Sequence, residues 1–171
     1  MKKLEAITGK RSINVVIETP KGCRNKFSHQ PETGYYKLSK VLPAGTSFPF
    51  DFGFIPGTQA EDGDALDVLV MVETDCFPGC LIECRVIGIL EALQQEKGKK
   101  EERNDRIVAV ALESIDHSGL AHIRELNKNL LNEVLSFFEY YNKMRNKRFR
   151  FIGVKGPDKA MKLIKKHITT T

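Results

Sequence analysis

Apolar and polar positions alternate with the short period of β-strands through the first two-thirds of the chain, and the last third changes to a helical period. Ile13, Val15 and Ile17 stand at every second position, and Tyr35-Tyr36-Lys37-Leu38 follows a Glu-Thr-Gly turn. Leu66-Asp67-Val68-Leu69-Val70-Met71-Val72 is apolar almost throughout and rich in β-branched residues, which suits a strand. Leu81 to Leu93 and Arg106 to Leu112 are two further apolar segments, separated by a charged stretch. Short strands joined by turns predict a closed or nearly closed barrel. Leu126, Leu130, Val134, Phe137, Phe138 and Tyr141 then recur at three- and four-residue steps, giving one apolar helical face. Asn127 or Asn129 is placed to cap that helix. Phe149 to Val154 alternates as a strand, and Pro157 sits where a second helix begins, at a position where its missing N–H costs little. The predicted architecture is α+β and mainly β: a small barrel with two flanking helices, one of them packed on it, in one domain over residues 1–171.

Composition adds little to that picture but excludes several classes. Hydrophobic residues at 41% and charged residues at 29% exclude a disordered or fibrous chain. No apolar run approaches the roughly 20 residues that span a bilayer. Met1-Lys2-Lys3-Leu4-Glu5 has no apolar stretch behind it, so no signal peptide and no membrane partner are expected, and the setting is cytoplasmic. Cys76, Cys80 and Cys84 repeat every fourth residue, but Pro78 and Gly79 break a helix between the first two, and the cysteines read as free thiols of a reducing compartment. His29, His117, His122 and His167 are dispersed without metal-ligand spacing and read as surface or turn residues. The formal charge of +5 hints at anionic partners. The densest charged run, Glu96 to Arg103, mixes both signs and reads as a solvated loop.

Candidate chemistry concentrates in Asp62-Gly63-Asp64-Ala65-Leu66-Asp67, where three carboxylates precede the strongest strand. Such groups repel one another unless cations neutralise them. Magnesium suits them, because it keeps several waters and uses one or two carboxylates. A calcium EF-hand loop fails, since its glycine position would fall on Asp67 and the segment that follows is strand-like. The competing reading is an Asp-Gly turn whose carboxylates face water. A nucleic-acid module is not expected: Phe48, Phe50, Phe52 and Phe54 lie beside the acidic cluster, which would repel a phosphate backbone.

Residues 61–70, Glu-Asp-Gly-Asp-Ala-Leu-Asp-Val-Leu-Val, resemble the aspartate signature of the family I soluble inorganic pyrophosphatases, with Ala65 where that family usually has proline. Val15 to Pro20, Asn25-Lys26-Phe27, Pro49 to Ile55 and Phe137 to Tyr141 resemble further family segments in the same order. The resemblance implies an OB-type barrel and magnesium-dependent hydrolysis of pyrophosphate, with manganese a possible substitute and a homo-oligomer, commonly a hexamer. It implies that Asp62 and Asp67 hold two ions sharing the attacking water, and that Asp64 takes that water's proton. Lys26, Arg106 and Tyr141 would bind phosphate oxygens, Tyr141 counting with Asp64 among the catalytic residues, and Lys40 stands where the family usually has arginine. Glu18 would hold an outer-shell water or a further ion, and Asn104 occupies a metal-bridging position.

The departures from the family pattern fall mostly around the same site. Ser28 stands where the family has glutamate, Phe48 and Phe52 replace tyrosines, and Arg106 replaces a lysine. Asn104 takes the place of a metal-bridging aspartate, Asn142 that of a lysine beside Tyr141, and another metal-holding aspartate falls near Gln94. The retained aspartates are those of the central two-metal pair, whereas the missing carboxylates chiefly serve an ion that arrives with the substrate. Glu101, Glu102 and Asp105 are the candidates to replace one of them. The site could therefore be weakened, or redirected to another phosphoanhydride or phosphate ligand.

Overall fold

In the computed structural model, which describes residues 4–169, strand β1 (Ser12–Thr19) buries every second side chain, as its alternation predicts. Met1, Lys2 and Lys3, part of the N-terminal reading above, lie outside those residues. The chain continues through β2 (Asn25–His29), β3 (Tyr36–Val41), β4 (Asp51–Phe54) and β5 (Asp67–Met71). Then come β6 (Leu81–Glu96), β7 (Glu102–Arg103) and β8 (Arg106–Ala111). A short 3₁₀ turn at Ile123–Glu125 leads to α1 (Lys128–Lys143), β9 (Lys147–Lys155) and α2 (Pro157–Lys166). Among the described residues no helix is long and apolar enough to cross a membrane.

Pairing runs β1–β4–β5–β8–β6, and β6 pairs back onto β1, so five strands form a ring-like sheet. β6 is the spine: its 16 residues also carry β7 and β9 beyond the ring. The charged stretch after it is the tip of a β6–β7 hairpin, with Leu93 opposite Arg103 and Gln94 opposite Glu102. β2 and β3 form a separate two-stranded sheet. Buried Thr19 ties that hairpin to β1, its hydroxyl accepting from the Phe27 N–H at 3.1 Å.

β5 and β8 are buried on both faces, which explains their continuous apolar runs. Val68, Val70, Ile107 and Ala109 join one core with Ala160, Met161 and Ile164 of α2. Leu69, Met71, Val108 and Val110 join a second core with Val134, Phe137 and Phe138 of α1. Both helices therefore pack on the sheet, where the hydrophobic pattern alone suggested one. Asn127 caps α1, its side chain accepting from the Asn129 N–H at 2.8 Å, and Pro157 opens α2.

Candidate active site

The acidic cluster lies on the connection from β4 to β5, and local hydrogen bonds hold that connection in shape. Ile55 N–H reaches Leu66 O at 3.0 Å, and buried Thr58 bridges the same two residues by donating to Ile55 O at 2.7 Å and accepting from Leu66 N–H at 3.1 Å. Gly63 turns the chain at φ 91°, a conformation that disfavours any residue with a Cβ. Asp62 accepts from the Asp64 N–H at 3.1 Å. Asp67 is the first residue of β5, opposite Phe54.

A cavity of about 430 Å³ opens on these three aspartates, with Glu18, Lys26, Asn104, Arg106 and Tyr141 among its walls. β1 supplies Glu18, whose Oε1 accepts from the His29 N–H at 2.6 Å. β2 supplies Lys26, with its ammonium 5.5 Å from the Phe52 ring. Arg106, 8% exposed, opens β8 and lies over Phe52 and Phe138 at 5.8 and 5.4 Å. Its Nη1 is 2.8 Å from Asp67 Oδ2. Tyr141 stacks on Phe137 at 5.8 Å near the end of α1. Lys40 does not line the cavity; it stands at the rim, its ammonium 5.9 Å from the Tyr141 ring. A smaller cleft of about 220 Å³ reaches Asp62, Asp64 and Asp67 from the side of α2.

Burial works against charge at Glu18, Asp67 and Lys26. It raises the Glu18 and Asp67 carboxyls above the usual range and lowers the Lys26 ammonium. The His29 N–H and Lys26 counter the shift at Glu18, and Arg106 and Lys26 counter it at Asp67. The Asp67 side chain keeps 28% of its surface exposed, so solvent moderates the effect there. Among the described residues no three His, Cys, Asp or Glu side chains converge tightly enough to enclose an ion. The donor set fits a hard cation that keeps its waters: Asp62 and Asp64 face the cavity without ion-pair partners among the described residues, and one or two carboxylates suffice for magnesium.

Asn104 is placed in the cavity, but its side chain already has partners. Its Nδ2 donates to Gln94 Oε1 at 2.6 Å, and its Oδ1 accepts from Arg106. None of the three candidate replacement carboxylates lines the main cavity. Glu101 pairs with Arg150, Glu102 is exposed on β7, and Asp105 accepts from the Ala92 N–H at 2.9 Å and pairs with Arg103 at 2.8 Å. Asn142 is buried, donating to Phe138 O at 2.8 Å. Phe48, Phe50 and Phe52 are buried as well.

Several lining residues were not anticipated. Arg145, one helical turn beyond Tyr141 and 5.4 Å from its ring, adds a cation to the mouth of the cavity. Its spacing of four from Tyr141 was a usable signal. Lys147 and Gln94 reach the cavity only because β6 and β9 pair antiparallel, which no local pattern reveals. His29, read as a surface residue, lines the cavity and stacks on Phe54 at 5.4 Å.

The model of the family described as inorganic pyrophosphatase matches residues 15–171. The chain belongs to the inorganic pyrophosphatase family. An inorganic pyrophosphatase of Synechocystis is 34% identical over 152 residues, covering 89% of this chain and 87% of the relative. One from Thermus thermophilus is 36% identical over 146 residues, covering 84% and 79%. The solved structure of the Thermus thermophilus inorganic pyrophosphatase superposes with a TM-score of 0.85 at 30% identity, covering 97% of this chain and 95% of that one. An inorganic pyrophosphatase of Helicobacter pylori superposes with a TM-score of 0.87 at 29% identity, covering 98% and 97%. The ring-like sheet with two helices is thus the fold of inorganic pyrophosphatases, and pyrophosphatase chemistry is metal-dependent.

Proposed function

We propose that this chain hydrolyses inorganic pyrophosphate to two phosphates with magnesium, manganese being a possible substitute. The observation that carries the reading is the juxtaposition of Asp62, Asp64 and Asp67 with Lys26, Arg106 and Tyr141 around one cavity. Asp62 and Asp67 would hold the magnesium, with Glu18 taking an outer-shell water or a further ion. When bound, the ion supplies Lewis-acid charge at phosphate oxygens and lowers the pKa of water.

The chain's own groups perform the rest. Lys26 and Arg106 bind the phosphate that is attacked, with Phe52 beneath both cations keeping water away. Lys40, Arg145 and Tyr141 hold the departing phosphate at the rim. Asp64 accepts a proton as the water oxygen bonds to phosphorus. The bond from phosphorus to the bridging oxygen breaks, and the leaving phosphate keeps that electron pair.

Phosphate release from pyrophosphate, nucleoside triphosphates and sugar phosphates, at several millimolar magnesium or manganese, tests the reading. Pyrophosphate should be the preferred substrate. Release from none of them overturns the proposal, and preference for another member redirects it. A cytoplasmic homo-oligomer, a hexamer by resemblance, belongs to the same reading. Exposed Phe77, Leu81 and Ile115 support association, and sedimentation of the full chain tests it.

A further inference from the structure

Taking the cavity as the hydrolytic site, we propose that the Arg106 guanidinium is a built-in cation on the wall formed by Gln94, Asn104 and Arg106, and that this wall takes no divalent ion.

Two of the three residues on that wall are neutral amides, and their hydrogen bonds have a fixed direction. Arginine only donates, so Asn104 must turn its Oδ1 toward Arg106. That orientation points its Nδ2 at Gln94, which must answer with Oε1, at 2.6 Å. Each amide oxygen on the wall thus already accepts one hydrogen bond, and neither carries the negative charge that a divalent ion seeks. Hard divalent ions seek oxygens, and charged ones first. The cation this wall does hold is covalently attached: Arg106 Nη1 lies 2.8 Å from Asp67 Oδ2 and 3.0 Å from Asp105 O.

The placement of Arg106 also limits the ions on the opposite side. One Asp67 oxygen is engaged by the guanidinium, so a divalent ion there meets a like charge and competes for a carboxylate. Meanwhile the buried Arg106 Nε has no partner among the described residues. Buried donors of this kind are rarely left unsatisfied, so the guanidinium keeps donor capacity that its protein partners do not fill. A phosphate in the cavity would meet this wall at Arg106, without an ion carried in between.

Counting bound Mn²⁺ by equilibrium dialysis with electron paramagnetic resonance, on the full chain with saturating inorganic phosphate, decides the matter. The double variant Gln94→Ala/Asn104→Ala should bind as many ions as the parent. Arg106→Lys, which keeps the charge, should also match the parent count. Arg106→Gln, checked for folding by circular dichroism, should bind Mn²⁺ more tightly, by about tenfold for loss of a nearby positive charge. One ion fewer in the double alanine variant overturns the inference, and so does unchanged or weaker Mn²⁺ binding in folded Arg106→Gln. Pyrophosphate hydrolysis by the same samples separates the two levels. An active parent whose double variant loses an ion overturns this inference alone, whereas an inactive parent that binds no Mn²⁺ overturns the pyrophosphatase reading with it.

Discussion

Lys26 and Lys40 stand directly opposite each other across the β2–β3 pair. Like charges so placed destabilise a sheet, and an anion between cavity and rim relieves them. Lys40→Met should therefore stabilise the free protein by about 0.5 kcal/mol. It should also raise KM for pyrophosphate about tenfold, as expected for losing one charged hydrogen bond. Thermal melts with and without phosphate, beside steady-state kinetics, check both. A variant less stable than the parent and unchanged in KM would remove Lys40 from the site.

Asp64 and Asp67 should fail differently. Asp64→Asn should keep metal affinity close to the parent and lose about 10²–10⁴ in turnover, the usual contribution of a general base. Asp67→Ala should weaken divalent binding and also cost about 1–3 kcal/mol of stability, because buried Arg106 loses its carboxylate. Mn²⁺ titration, kinetics and denaturant unfolding of both variants separate the roles. Full activity in Asp64→Asn would assign the base elsewhere.

Arg145 is exposed and lies beside Tyr141, while Asn142 faces the core. Arg145→Ala should raise KM about tenfold with little change in stability. Asn142→Lys should not rescue it, because that position would have to bury an ammonium. Kinetics of the single and double variants provide the measurement, and rescue by lysine would contradict the assignment.

How much of this was readable beforehand depended on sequence separation. Asp62, Asp64 and Asp67 lie within six consecutive residues, so their grouping needs no knowledge of the fold. The α1 face and its Asn127 cap are equally local, and the structure matches both. The contact between Gln94 and Asn104 depends instead on the register of the β6–β7 hairpin. Composition does not place Asp105 against Ala92 and Arg103, because both contacts depend on the β6–β7 hairpin. Packing of both helices was likewise hidden, because the continuous apolar runs of β5 and β8 indicate cover on both faces without telling which elements supply it.

The contribution of Asp67 to the stability of the metal-free protein should fall as pH rises above the ordinary aspartate range. Burial raises the Asp67 carboxyl, so the folded state holds that proton more tightly than the unfolded chain does. Its stabilising share is complete below the unfolded value of 3.8 and is lost as pH rises through the higher folded value. Asp67→Asn should flatten this slope, and saturating magnesium should reverse it in the parent by favouring the carboxylate. Melting temperatures from pH 3.5 to 7 (a range of about three units around that window), with and without the metal, are the readout. A parent slope no different from that of Asp67→Asn would contradict the shift.

Gly88 resumes the β6–β8 register opposite Val108, directly after the irregular step that follows Val86. A Cβ there would meet Ile123 Cγ2 at 2.6 Å and the backbone oxygen of Lys155 at 2.7 Å. Gly88→Ala should cost about 1–3 kcal/mol by overpacking. Gly119→Ala, with nothing within 4 Å of its Cβ, is the control. Equal denaturation midpoints for the two variants would show that the crowding is relieved elsewhere.

The division of the site between two sheets has a kinetic consequence. β6 is paired along both edges for much of its length, with β1, β8, β7 and β9 as partners, whereas β2 and β3 pair only with each other. Amide protons of β6 should exchange with solvent only through global unfolding, and those of β2–β3 through smaller openings. Lys26 and Lys40, assigned above to phosphate, thus ride on the hairpin that breathes, whereas the aspartates lie between and on β4 and β5 of the ring-like sheet. Product could leave by loosening the hairpin alone, without disturbing the acidic side of the cavity.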